Sequence, residues 1–215
     1  MIKKNKSTLI LTSLVILIPI LIGLVLWNKL PEEMPFHWNI KGEVDGWASK
    51  SMAVFFMPLF MLAMHWVCVA AASMDPKSAN YQPKMFALVL WLCPVMNLVL
   101  NTLVYASALG YHFSIEIILP LLMGAMFLFI GNQLPKMKQT YTMGIKLPWT
   151  LDNEENWNKT HRFAGKIWVG GSLIIMATAF IGSFWIMMGV LIIMAIVPTV
   201  YSYLLHLKQK KTEEE

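Results

Sequence analysis

Charge is scarce in this chain: only 13% of its residues are Asp, Glu, Lys or Arg, against 57% that are hydrophobic. A soluble domain carries about a quarter charged residues, so water is excluded as the main solvent. Cysteine is equally thin. Cys68 and Cys93 both fall inside apolar runs, where a thiol behaves as a small hydrophobe, and two such residues build no disulfide framework. Also missing are His-Glu-x-x-His, Gly-x-Ser-x-Gly and any phosphate-cradling glycine loop, so no catalytic motif is present and neither an enzyme nor a cofactor is expected. The formal charge of +5 does not point to nucleic acid, because excess lysine in a membrane chain follows from topology. No direct nucleic-acid binding is expected.

What the chain does have is long apolar runs, at 9–27, 51–72, 85–109, 115–130, 166–181 and 185–205. A run of about 20 residues matches the hydrocarbon thickness of a bilayer. In lipid every backbone N–H and C=O must find its partner within the segment, so these runs must be helices. The predicted fold is an all-α integral membrane protein of about six transmembrane helices in contact with the lipid bilayer. The first run is too long for a signal h-region and has no small-x-small cleavage site before Trp27, so it reads as a retained helix. Gly182 and Ser183 separate the last two runs as a tight turn. Proline falls inside five runs, at Pro19, Pro58, Pro94, Pro120 and Pro198, where neighbouring helices repair the lost bonds.

Lysine and arginine set the orientation, since the cytoplasmic side carries the excess. With the amino terminus inside, one side holds Lys3, Lys4, Lys6, Lys77, Lys84, Lys136, Lys138, Lys146, Lys159, Arg162, Lys166, Lys208, Lys210 and Lys211, and the other holds only Lys29, Lys41 and Lys50. Five or seven spans would break this alternation. The expected organisation is a cytoplasmic start (1–8), two spans (9–72) around an outer loop (28–50), spans three and four (85–130), a cytoplasmic loop (131–165), spans five and six (166–205) and a cytoplasmic tail (206–215). The acidic residues 213–215 read as solvated.

Two hydrophilic segments are long enough to hold structure. In the outer one, Pro31 and Pro35 force extended backbone, 34–38 reads as a short strand, and Gly42 and Asp45-Gly46 read as turns. His37, Glu43 and Asp45 lack a second histidine or cysteine at metal spacing, so no metal is expected there. In the inner one, Thr150 or Asp152 is expected to cap a helix, with Glu155 completing a capping box from Asp152. Trp157, His161, Ala164 and Trp168 share one helical face, so that helix should start at the interface, anchored by its tryptophans, and run into the fifth span. His161 reads either as an interfacial residue or as a proton-sensitive functional group.

Inside the spans, Asn97, Asn101 and Tyr105 lie four apart, a spacing that favours hydrogen bonds to a neighbouring helix. The sharper alternative joins them to His65, His112 and Glu116 in a polar path, as in a small transporter or exporter. Met61, Met64, His65 and Cys68 read as gap-filling side chains rather than copper ligands.

The two loops, in this order and between these spans, resemble the SdpI-type immunity proteins of Gram-positive bacteria. The outer loop matches at Leu30-Pro31, Pro35, His37, Gly42, Asp45-Gly46, Trp47 and Lys50. The inner loop is similar to the family signature at Gly131-Asn132, Leu134-Pro135-Lys136, Tyr141, Gly144-Ile145, Pro148-Trp149-Thr150-Leu151, Trp157, Thr160-His161 and Gly165. It departs at Thr140, where the family usually has asparagine, and at Lys146-Leu147, where it has Arg-Thr. The resemblance implies a protein of the bacterial cytoplasmic membrane that protects its cell from a secreted toxic peptide met at the outer loop. Some members also receive signals, holding a cytoplasmic transcriptional repressor at the inner loop, for which Lys146 would be one contact.

Overall fold

The computed structural model describes residues 2–214, with side chains to 212; the acidic end 213–215 lies outside the described side chains. Helices α1 (Lys6–Val25), α2 (Met57–Met74), α3 (Pro83–Ala108), α4 (Ile115–Gln133), α6 (Glu154–Ile181) and α7 (Phe184–Glu214) are joined by a hairpin of β1 (Glu33–Trp38) and β2 (Val44–Ser49) and by a short helix α5 (Pro148–Asp152). All six long helices are apolar enough to cross a membrane, and the chain is an all-α multi-span membrane protein with one small sheet. Pro58 follows a π-type turn over Met52–Phe56 within one continuous helical segment, and that wider turn lies where the proline lacks an N–H to donate.

The helices form two compact units. The first holds α1, the hairpin, α2 and α3. Pro19 lies in the middle of α1, and α3 bonds to carbonyls beside it: Asn97 Nδ2 donates to Ile16 O at 2.9 Å and the Tyr105 hydroxyl to Pro19 O at 2.9 Å. Asn101 in turn donates to the Asn97 side chain at 2.9 Å. Asn97 and Tyr105 are therefore interhelical links, whereas Asn101 bonds within α3 and holds the Asn97 side chain. Because Asn97 both donates to α1 and accepts from Asn101, Asn97→Leu should lower the thermal stability of the detergent-solubilised protein by about 1 kcal/mol, in the range of buried membrane hydrogen bonds, and Asn101→Leu by less.

The second unit holds the 75–82 connection and everything from α4 onward. Helix α6 begins at Asn153, whose side chain accepts from Asn156 N at 2.9 Å. Neither Thr150 nor Asp152 is that cap: Thr150 is inside α5, where its hydroxyl accepts from Leu147 N at 2.9 Å. Asn153 wins because α5 and α6 are separate helices that break at this residue, which sits in extended backbone. The α6–α7 turn is the expected one, with Gly182 left-handed at φ 69°. Ile175, Met187 and Met194 form the apolar core between these two helices.

Candidate functional site

The hairpin is built on extended backbone that Pro35 favours. Its turn is closed by Asn39, whose side-chain oxygen accepts from Lys41 N at 2.8 Å and Glu43 N at 3.1 Å, and Gly42 supplies the left-handed residue at φ 75°. Asp45 and Gly46 are therefore not a turn. They lie in β2, where the register slips between Pro35↔Trp47, His37↔Gly46 and Trp38↔Val44. Asn39 and Gly42 already close the turn upstream, and the leftover Asp-Gly becomes a bulge. Gly46 is needed there for space, since a Cβ would come within 2.8 Å of the His37 Cβ.

That bulge brings His37 Nδ1 to 2.5 Å from Asp45 Oδ1. Glu43 turns instead to Asn39, at 3.0 Å, and does not join the pair. Met34 is fully buried with Leu30, Val54, Val104 and Tyr105, so the inner face of the sheet is part of the first unit's core. Lys50 is not an exposed contact residue. It is 6% exposed, its ammonium donating to Trp27 O at 3.2 Å and Glu32 at 2.9 Å and lying over the Trp27 ring. Trp47 is the opposite case, 59% exposed on the strand.

The loop between α4 and α6 is braced on every side by residues of its own unit. Asp75, at the end of α2, accepts from Lys77 N at 2.8 Å, Tyr141 N at 2.9 Å, Thr142 N at 3.0 Å and the Thr142 hydroxyl at 2.7 Å. Burial pushes its carboxyl up, but the Thr142 hydroxyl and the three amides outweigh that and hold it below its ordinary value. Gln139 donates to Thr150 O and Leu151 O, both at 2.7 Å, and accepts from Lys77. Tyr81 bonds Thr142, and Asn80 donates to Gln139 O at 2.8 Å.

Under the loop, Trp157 and His161 stack with centroids 4.0 Å apart. Trp157 Nε1 donates to Met137 O at 2.9 Å, His161 Nδ1 faces Trp157 O at 2.8 Å, and Ile145 N donates to His161 Nε2 at 3.0 Å. These partners fix a neutral ring with its proton on Nδ1. Trp157 is thus fully buried rather than an interfacial anchor, and His161, 1% exposed, is a structural member of the loop. Trp168 is half-buried and donates to Met194 O at 3.0 Å.

The remaining signature positions divide into close approaches and surface. A Cβ on Gly131 would meet Trp168 at 2.8 Å, and one on Gly165 would meet Pro135 at 2.6 Å. Trp149 Nε1 donates to Ser202 at 2.8 Å, Ser202 to Asn156 at 2.9 Å and Thr160 to Asn156 at 3.0 Å, a buried chain that ties α5, α6 and α7 together. Asn132, Tyr141, Lys146 and Pro148 are exposed. Asp75, Gln139, Asn156 and Ser202 carry much of the bracing without having been singled out from sequence. The one available signal was an isolated acid, Asp75, in a short lysine-containing connection.

Six apolar helices, a hairpin after the first and a braced loop after the fourth define a multi-span membrane protein with two structured connections. Residues 136–202, running from the loop to the serine that holds Trp149 and Asn156, match the SdpI/YfhL protein family. Residues 14–62, which include the hairpin, match a domain of unknown function, DUF1648. The chain is 29% identical over 204 residues to Immunity protein SdpI of Bacillus subtilis (strain 168), covering 94% of this chain and 95% of that protein. The likeness to SdpI-type immunity proteins thus runs along nearly the whole chain, and the family model matches its C-terminal part. No solved structure matches it.

Proposed function

We propose that this chain is an immunity protein of the bacterial cytoplasmic membrane that protects its cell from a secreted, membrane-active toxic peptide. The observation that carries this reading is the likeness to an immunity protein over 94% of the chain, which takes in both structured connections. The lysine distribution supports a hairpin facing outward, where such a peptide arrives, and a loop facing the cytoplasm. A second reading adds to the first: the loop offers exposed Lys136, Lys138 and Lys146 on a rigid support, a surface suited to holding a cytoplasmic repressor. A transporter is less well supported, since Asn97 is engaged in holding α1 to α3 and Asn101 in holding Asn97.

Expression in a sensitive strain should raise survival against at least one peptide of a panel of secreted membrane-active toxins by tenfold or more. Unchanged killing by the whole panel would remove the reading. Were the transporter correct, Asn101 and Glu116 substitutions would abolish resistance while substitutions at Pro148 and Trp149 left it intact.

A further inference from the structure

An antiparallel ladder alternates pairs that bond each other with pairs whose N–H and C=O groups point away. Lys50 N donates to Glu32 O at 2.8 Å, which makes that pair a bonded one. Counting inward, Met34↔Ala48 is bonded, whereas Glu33↔Ser49 and Pro35↔Trp47 turn their backbone groups outward. The two edges of this two-stranded sheet are therefore unequal. On β1 the outward positions belong to the charged Glu33 and to Pro35, which has no N–H, and α3 packs against the strand. On β2 the outward groups are those of Trp47 and Ser49, both exposed. Sheet proteins blunt their edges with proline, charge or cover; β1 is blunted and β2 is left open beside an exposed tryptophan.

We propose that the outer edge of β2, from Trp47 to Ser49, is a strand-addition site for an extended segment of the toxic peptide, with the Trp47 ring packing on its side chains. This rests on the immunity reading. The open edge is short, because Asp45 is bulged toward His37 and Lys50 is drawn inward to Glu32. Three residues span roughly 10 Å, too little to supply the 1,200–2,000 Å² or so of a stable contact between two copies. A peptide already held by the bilayer needs less, since anchoring raises its effective concentration. Ser49 lies three residues before the membrane-crossing helical segment that starts at Met52, so the edge sits where such a peptide collects.

The test uses the full chain and the toxin to which the survival assay shows resistance. Ser49→Pro removes an outward donor without taking a ladder bond, together with the hydroxyl that accepts from Met52 N at 3.3 Å; it should cut protection at least tenfold, whereas Ser49→Ala, which loses only the hydroxyl, and Lys41→Ala in the turn should keep it. Slow hydrogen exchange at Ala48 N, which points inward, reports that the hairpin of the proline variant is still formed. In lipid nanodiscs the same toxin should slow exchange of the Trp47 and Ser49 amides of the unsubstituted chain at least tenfold. Protection by the unsubstituted chain with no slowing at either amide would overturn the site and leave the immunity reading standing. Slow exchange before toxin is added would overturn it in favour of edge pairing between copies. Failure of the unsubstituted chain to protect against any toxin removes both.

Discussion

Asp75→Ala is expected to release residues 137–147 and to destabilise the unit that holds them by about 3 kcal/mol. The carboxylate is 4% exposed and takes four donors, three of them on one oxygen from Tyr141 and Thr142. Leaving a buried donor without an acceptor costs about 1–3 kcal/mol, and water entering beside an exposed Tyr141 recovers part of the sum. The check is twofold: the thermal midpoint in detergent should fall by roughly 6–12 °C, at the 2–4 °C per kcal/mol expected for a chain of this size, and protease should cut at Lys138 and Lys146 far faster. Asp75→Asn separates shape from charge. Its carbonyl can keep the three donors, while its amide opposes Lys77 N–H, so about half the loss is expected. A midpoint and cleavage rate unchanged in the alanine variant would show that the loop is held elsewhere.

The same carboxylate gives an acid-side signature of definite sign. Its folded pKa lies below its ordinary value, so the ionised form contributes stability that is fully present above the unfolded value near 4. That contribution is lost as pH falls through the folded value. Unsubstituted protein should therefore lose stability below about pH 4 more steeply than Asp75→Asn.

The parts of this protein that the sequence made legible are those governed by a single strong term. Six apolar runs gave six helices because lipid leaves the backbone no alternative, and the Trp157–His161–Ala164–Trp168 spacing extended the fifth into its polar segment as observed. The depth of Trp157 was misjudged because a tryptophan beside a span is usually an interfacial anchor. Here the preceding loop folds over it and supplies Met137 O to its ring N–H. Asp45-Gly46 was misread because two turn signals competed and only one hairpin turn was available; the Asn39 side chain bonds decided it. Asp75 and Ser202 stayed hidden for a different reason. Their roles depend on partners 66 and 46 residues away in the chain, and no local pattern carries that information.

Gly144→Ala should be the most damaging single methyl in the chain, at about 4 kcal/mol. Gly144 has φ 110°, outside the region that L-residues occupy readily, and its Cβ would lie 2.6 Å from both His161 Nε2 and the Trp157 ring. Backbone strain of this kind costs about 1–3 kcal/mol, and overpacking against two buried rings adds a similar amount. The chain cannot relieve the clash by swinging outward, because the next residue, Ile145, donates its N–H to the same His161 nitrogen. Relief would strip that nitrogen of its donor inside a buried stack. Nitrogen NMR of labelled histidine reads this directly: the unsubstituted His161 should show a neutral ring protonated at Nδ1, and the alanine variant should lose that single state together with loop protection. Gly170→Ala in α6 is the control, since a Cβ there meets nothing within 4 Å and helix propensity favours alanine by about 1 kcal/mol. Equal behaviour of the two variants would mean that the loop does not rest on the Trp157–His161 pair.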